Sequence, residues 1–95
     1  MTVIDFQPQS WFFLKNDTEY FIDVNCNHSA FGFNLLIQLN QSEINDYNKY
    51  GKVFLSNFAN DIQYYALTKY TKRQVPSEIE NVVNDAIQLF NKNNQ

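Results

Sequence analysis

Apolar and polar positions alternate along two stretches of this chain, a pattern typical of half-buried β-strands. Residues 20–26, YFIDVNC, place apolar side chains at every second position, and residues 33–39, FNLLIQL, repeat the pattern. Successive side chains of a strand point to opposite faces of its sheet. The two stretches therefore predict neighbouring antiparallel strands with one face in the core. Their other face would be either a contact surface or a solvated one. It would hold a mixed set of side chains: Phe21, Asp23, Asn25, Asn34, Leu36 and Gln38.

Two apolar stretches precede these strands. Residues 10–15, SWFFLK, predict a strand that ends in the turn residues 16–19. Because residues 11–14 are all apolar, we expect both faces of this strand to be at least partly covered, one by a helix and the other by a partner or the N-terminal segment. Residues 3–6 are a short apolar stretch before Pro8 and are compatible with an edge strand.

The period changes to that of a helix at Asn40. Asn40 can cap the helix while Glu43 bonds back to it, an arrangement called a capping box. Apolar residues then recur at steps of three and four through residues 44–65 and predict one long amphipathic helix. Gly51 lies inside this stripe, where glycine costs about 1 kcal/mol relative to alanine. Either a close approach to the sheet or a bend would explain it.

A second helix is predicted after a linker at residues 66–75. Pro76 stands where the helix would begin, and Ser77 with Glu80 would form a second capping box. An apolar stripe with helical spacing follows: Ile79, Val82, Val83, Ala86, Ile87 and Phe90.

This order of elements predicts a single α+β domain over residues 1–95. We expect a three-stranded antiparallel meander, or a four-stranded one if residues 3–6 pair as an edge strand. Two helices would follow and pack on one face of the sheet.

Composition narrows the possible functions. A chain of 95 residues is expected to form one domain, and its aromatic fraction of 17% supplies large buried areas. A lone cysteine excludes an intrachain disulfide and fits a reducing, cytoplasmic compartment. We expect neither a leader peptide nor a membrane contact, because no basic, apolar start and no long apolar run is present. A net charge of −3 disfavours binding to nucleic acid and allows a basic protein partner.

Cys26 and His28 are the first residues to test for chemistry. A nucleophilic thiolate needs a nearby base and an exposed setting. Alternation instead places Cys26 on the core side of its strand, with His28 in the loop that follows. One cysteine and one histidine also fall short of a zinc site. With glycine only at positions 32 and 51, no phosphate-binding loop can form. The sequence therefore predicts no cofactor, no metal and no catalytic residue.

Two further features have a functional and a structural interpretation. Asp23 could be a general acid or base, a contact to Arg73, or a polar residue on the open sheet face, which alternation favours. The cations Lys69, Lys72 and Arg73 around Tyr70 could bind an anion. Three charges are too few for nucleic acid, so a solvated linker with a cationic helix end is the favoured interpretation.

Residues 20–40, YFIDVNCNHSAFGFNLLIQLN, followed by a capped helix with Gly51 and then by Tyr70 and Arg73, resemble small bacterial immunity proteins of contact-dependent growth inhibition systems. The resemblance covers residues 11–73. It implies a cytoplasmic, non-catalytic domain that neutralises a cognate toxin domain, often a basic nuclease. It assigns no binding residue, since these proteins share no universal motif.

The sequence thus favours a protein-binding module over an enzyme. Five residues on the strands, the loop and the helix are expected to contact a partner: Asp23, Asn25, His28, Glu43 and Asp46. The alternatives are a homo-oligomerising domain, motivated by the two-sided apolar residues 11–14, and an enzyme using Cys26, His28 or Asp23.

Overall fold

A computed structural model describes residues 1–26 and 33–94 of the chain. Four strands come first along the chain and the helices follow them, which is an α+β arrangement. The strands are β1 (Thr2–Gln7), β2 (Trp11–Asn16), β3 (Glu19–Cys26) and β4 (Phe33–Gln38). The helices are α1 (Gln41–Tyr50), α2 (Lys52–Tyr64) and α3 (Ser77–Asn93), with a short 3-10 turn at Thr71–Arg73.

The strands form one antiparallel sheet in the order β1-β2-β3-β4. The expected edge strand is present as β1, which pairs with β2 and has an irregularity between Val3 and Asp5. The sheet is therefore the four-stranded version of the predicted meander. Its tight turns contain Gln9 and Asp17, both with positive φ angles.

One face of the sheet packs against α1 and α2. Alternate residues of the strands, such as Phe13, Ile22 and Ile37, are buried there with Leu55 and Ile62 of α2. Half-buried Ile44 and Tyr47 bring α1 to the same cluster. Strand alternation predicted this face correctly.

The opposite face is covered by α3, so the expectation that both helices pack on one face is not confirmed. Val83 of α3 is fully buried against Leu14, Phe21 and Leu36, which point away from the first cluster. Phe90 near the end of α3 makes edge-on aromatic contacts with rings of β1 and β2. The apolar residues on both sides of β2 are thus covered within the chain.

The predicted long helix is two helices that meet at Gly51. This glycine has φ +61° and ψ −135°, a conformation that L side chains rarely adopt. No atom lies within 4 Å of the position that a β-carbon would take. A bend, and not a close approach to the sheet, therefore explains the glycine.

The two predicted capping boxes had different outcomes. At α1, the Asn40 side chain accepts a hydrogen bond from the Glu43 amide, and the Glu43 carboxylate accepts one from the Asn40 amide, each at 2.9 Å. At α3, Pro76 is the N-cap and no side chain caps the helix. The second box is wrong, because Ser77 lies inside the helix and Glu80 faces the sheet near Asp23.

Candidate functional site

Of the five residues expected to contact a partner, the four that the structure describes do not form one surface. Asp23 and Asn25 lie on β3 and point toward the side of α3, whereas Glu43 and Asp46 lie on α1 across the sheet. His28, with the rest of the loop at residues 27–32, falls outside the described residues. The described residues therefore have separate environments.

Asp23 is buried, which corrects its placement on an open face. Only 7% of the residue is exposed, and its neighbours across the strands are Phe12 and Leu36. Burial, and secondarily the negative charge of Glu80, raises the pKa of the Asp23 carboxyl from 3.8 to about 6. Asp23 is thus a poor candidate for direct contact with a large partner.

A small pocket of about 110 Å³ adjoins Asp23 and includes Ser10, Asn25 and Asn34 in its wall. The Asn25 side chain donates to the Gln9 carbonyl at 3.2 Å, and the Asn25 carbonyl accepts from the Gln63 side chain at 2.8 Å. Among the described residues that line this pocket, Asp23 is the single titratable one.

Cys26 lies in the core, as alternation predicted. The residue is 0% exposed, and its thiol donates to the Val24 carbonyl at 3.6 Å. Burial, with the nearby Asp23 charge, raises the pKa of the Cys26 thiol. Because a thiolate is the reactive form, this environment disfavours a nucleophilic role.

Glu43 has a structural role at the start of α1. Besides its part in the capping box, it accepts two hydrogen bonds from the Arg73 guanidinium, at 2.9 and 2.7 Å. Arg73 also donates to the Gln38 carbonyl at 3.0 Å, so it joins the 3-10 turn to α1 and β4. Charge-assisted paired bonds of this kind are strong and directional. Asp46, half-buried one turn later, has no such contact among the described residues.

The basic cluster in the linker is largely committed within the chain. Lys69 lies 3.4 Å from the Asp61 carboxylate, and the Tyr70 hydroxyl donates to the same carboxylate. Tyr70 is buried, which raises its pKa, and Arg73 pairs with Glu43. These contacts favour the structural interpretation of the cluster over an anion site.

Charge is divided unequally between the two sides of the sheet. All the ion pairs formed by described residues lie on the α1–α2 side: Lys52 with Asp5, Lys69 with Asp61, and Arg73 with Glu43. Asp5 belongs to this side because it is paired with Phe13, and paired residues of neighbouring strands share a face. The cations of this side are thus partly neutralised by its own acids.

The α3 side has more acids than cations. Helix α3 contains Glu78, Glu80 and Asp85, and of the seven lysines and arginines only Lys92 belongs to it. Glu19 of β3 lies on the same side, since it alternates with Tyr20 and shares a face with Phe21. None of these carboxylates forms an ion pair within residues 1–26 and 33–94. The result is a negative surface beside the helix.

Exposed aliphatic residues accompany these acids. Val82 is 48% exposed and Leu89 is 61% exposed, and both lie beside the buried stripe of α3. We define the acidic α3 surface as Glu19, Glu78, Val82, Asp85 and Leu89. The apolar pattern of α3 did not indicate this surface, because the spacing of Val82 placed it in the buried stripe. The lack of lysine and arginine from residue 74 to residue 91 was the signal that could have indicated it.

Comparisons with protein-family models, curated proteins and solved structures found no match. Within the part of the chain that the structure describes, no helix is both long and apolar enough to cross a membrane. The same residues contain no group of three or more His, Cys, Asp and Glu side chains arranged to hold a metal ion. Function is therefore inferred from the charges and packing of this chain.

Proposed function

We propose that this chain is a non-catalytic, cytoplasmic protein-binding domain that neutralises a basic toxin domain, such as a nuclease, as immunity proteins do. The observation that supports the proposal is the acidic α3 surface, whose carboxylates have no cation partner among the described residues. Like charges collected on one side of a domain attract and orient an oppositely charged partner.

A nuclease domain is a suitable partner on physical grounds. Its active site must bind the phosphates of its substrate, so that surface is basic. An acidic protein surface complements it and competes with nucleic acid for it. The net charge of −3 adds a weak general attraction to the same basic partner.

The proposal shifts the contact surface relative to the residues expected from the sequence. Buried Asp23 is unsuited to contact, and Glu43 is engaged by Arg73. Asn25, His28 and Asp46 stay predictions. The principal contacts are assigned to the carboxylates of Glu78 and Asp85, which are exposed on α3.

The experiment is affinity capture from the source cell on the immobilised full chain. We expect a basic protein to be retained in stoichiometric amount, and to be released as salt rises from about 0.1 M to about 1 M, which shortens the Debye length from about 10 Å to about 3 Å. Glu78→Gln/Asp85→Asn should reduce retention roughly tenfold, because it removes two charges from the contact.

A variant of equal net charge separates a local effect from a general one. Asn57→Lys/Asn60→Lys also raises the charge by two, but on exposed positions of α2. It should retain the partner almost as well as the native chain. Equal loss in both variants would show general charge attraction, and loss in Asp46→Asn alone would place the contact on α1; either result overturns the α3 assignment. Retention of no basic protein would overturn the proposed function itself.

The rival functions have weaker support. Homo-oligomerisation was motivated by the apolar residues 11–14, but Trp11, Phe13 and Leu14 are buried by the helices of the same chain. An enzyme based on Cys26 conflicts with the burial of its thiol.

A further inference from the structure

An apolar groove runs along α3 within the acidic α3 surface. Its first section has a volume of about 210 Å³ and lies between Phe21, Ile79 and Val82. Its second section, also about 210 Å³, lies between Val3, Ala86 and Leu89, and its wall includes the polar residues Thr2, Asn93 and Asn94. Met1 borders both sections, so they follow one another along the helix. An apolar cavity of about 150 Å³ can hold benzene, so each section has room for an apolar side chain.

The spacing of the two sections matches a helix. Val82 and Leu89 are seven residues apart on α3, which corresponds to about 10 Å along the helix axis. A partner helix lying along α3 would place apolar residues at positions i and i+7 over the two sections. Recognition of an amphipathic helix by an apolar groove uses this spacing.

Charges at the rim select the sign of the partner. Glu19 and Glu78 border the first section, and Asp85 lies on the exposed side of α3 between Val82 and Leu89. Lys92 is the single cation of α3 and lies beyond Leu89. A second copy of this chain would place Asp85 against Asp85 if two α3 helices packed antiparallel. This repulsion disfavours self-association and favours a basic occupant.

We propose that the groove formed by Phe21, Ile79, Val82 and Leu89 docks an amphipathic basic helix of the partner. Apolar residues seven apart enter the two sections, and lysine or arginine side chains pair with Glu19, Glu78 and Asp85. This inference rests on the proposed function, since it specifies how the basic toxin domain is held. Apolar contact supplies affinity, and the acids exclude partners of the wrong charge.

A defined probe tests the groove without the natural partner. The isotope-labelled full chain is titrated with a synthetic Leu/Lys peptide of about 18 residues, which is about five helical turns. Its leucines lie on one helical face. We expect saturable amide shifts confined to residues 1–3, 19–21 and 78–90. A scrambled peptide of equal composition, with leucines all round, should bind roughly tenfold more weakly.

Paired variants locate the apolar contact. Val82→Ser/Leu89→Ser should weaken peptide binding roughly tenfold. Val53→Ser/Leu67→Ser changes the same residue types at positions 67% and 71% exposed on the α2 side, and should bind as the native chain does. Circular dichroism would check that both variants are folded.

Several outcomes overturn the inference. These are shifts on α1 and α2, equal binding of the two peptides, equal loss in the two double variants, or concentration-dependent α3 shifts without peptide, which would show a second copy in the groove. If the peptide does not bind but Glu78→Gln/Asp85→Asn loses capture of the basic protein, the groove is wrong and the proposed function stands. If the peptide binds but no basic protein is captured, the groove stands and the proposed function is wrong.

Discussion

Asp23 and Glu80 bring two negative charges toward each other where β3 meets α3. Burial, and secondarily the charge of Glu80, raises the pKa of the Asp23 carboxyl. A side chain that alternation assigned to an open face is therefore buried, and its ionisation is linked to the stability of the fold.

Replacing Asp23 with asparagine tests this assignment. Because the pKa of Asp23 is raised, its contribution to the stability of the fold is fully present below pH 3.8. This contribution is lost as pH rises to about 6. A shift of about two units corresponds to at most about 3 kcal/mol. The free energy of unfolding of Asp23→Asn should therefore rise relative to that of the native chain as pH increases. The expected rise is roughly 1–3 kcal/mol between pH 4 and pH 7.

Urea denaturation at several pH values is the measurement. A constant difference between Asp23→Asn and the native chain over this range would mean that Asp23 keeps an ordinary pKa in the fold.

Glu43 makes its main contacts within the chain. It joins the start of α1 to Arg73, which in turn binds the Gln38 carbonyl. A free surface carboxylate would contribute little to stability, whereas this one completes both a helix cap and a partly buried ion pair.

Glu43→Ala should destabilise the chain by about 1–3 kcal/mol, because it removes the cap contact and leaves Arg73 without its partner. Asp46→Ala, on the same helix, should change the free energy of unfolding by less than about 0.5 kcal/mol. Thermal and urea unfolding at neutral pH would compare them. Similar values for the two variants would contradict the structural role of Glu43.

At the scale of elements, a single backbone conformation divides one predicted helix into α1 and α2. Gly51 ends α1, where its amide donates to the Tyr47 carbonyl at 2.7 Å, and it precedes α2 with φ +61°. The apolar stripe continues through the break because both helices pack on the same face of the sheet.

Gly51→Ala should destabilise the chain by roughly 1–3 kcal/mol through backbone strain alone. No steric cost is expected, since no atom lies within 4 Å of the added carbon. Asn48→Ala, at an exposed position of α1, should be neutral or slightly stabilising because alanine is the better helix former. Equal denaturation midpoints for native and Gly51→Ala chains would show that α1 and α2 can join without strain.

The elements also show which expectations could be made from sequence. The Asn40 cap and the two alternating strands depend on neighbours within a few residues, and these predictions are confirmed. The Ser77 cap is wrong because Pro76 is the N-cap and Ser77 is already the first residue of the helix. Local patterns identify a helix more reliably than its first residue.

At the scale of the whole molecule, the sheet separates two differently charged sides. The α1–α2 side pairs its cations with Asp5, Asp61 and Glu43, whereas Glu19, Glu78 and Asp85 are exposed on the α3 side. A net charge of −3 is unremarkable by itself and acquires meaning only from this division. The proposed binding of a basic partner therefore depends on tertiary structure.

Local patterns were enough to predict the α+β class, the inward direction of Cys26 and the cap at Asn40. Each follows from a period or a contact that spans only a few residues. Three features depend on long-range packing: α3 covers the second face, Asp23 is buried, and acids border the groove along α3. Alternation shows which residues share a face of a sheet, but it does not show which helix will cover that face, because long-range packing makes that choice.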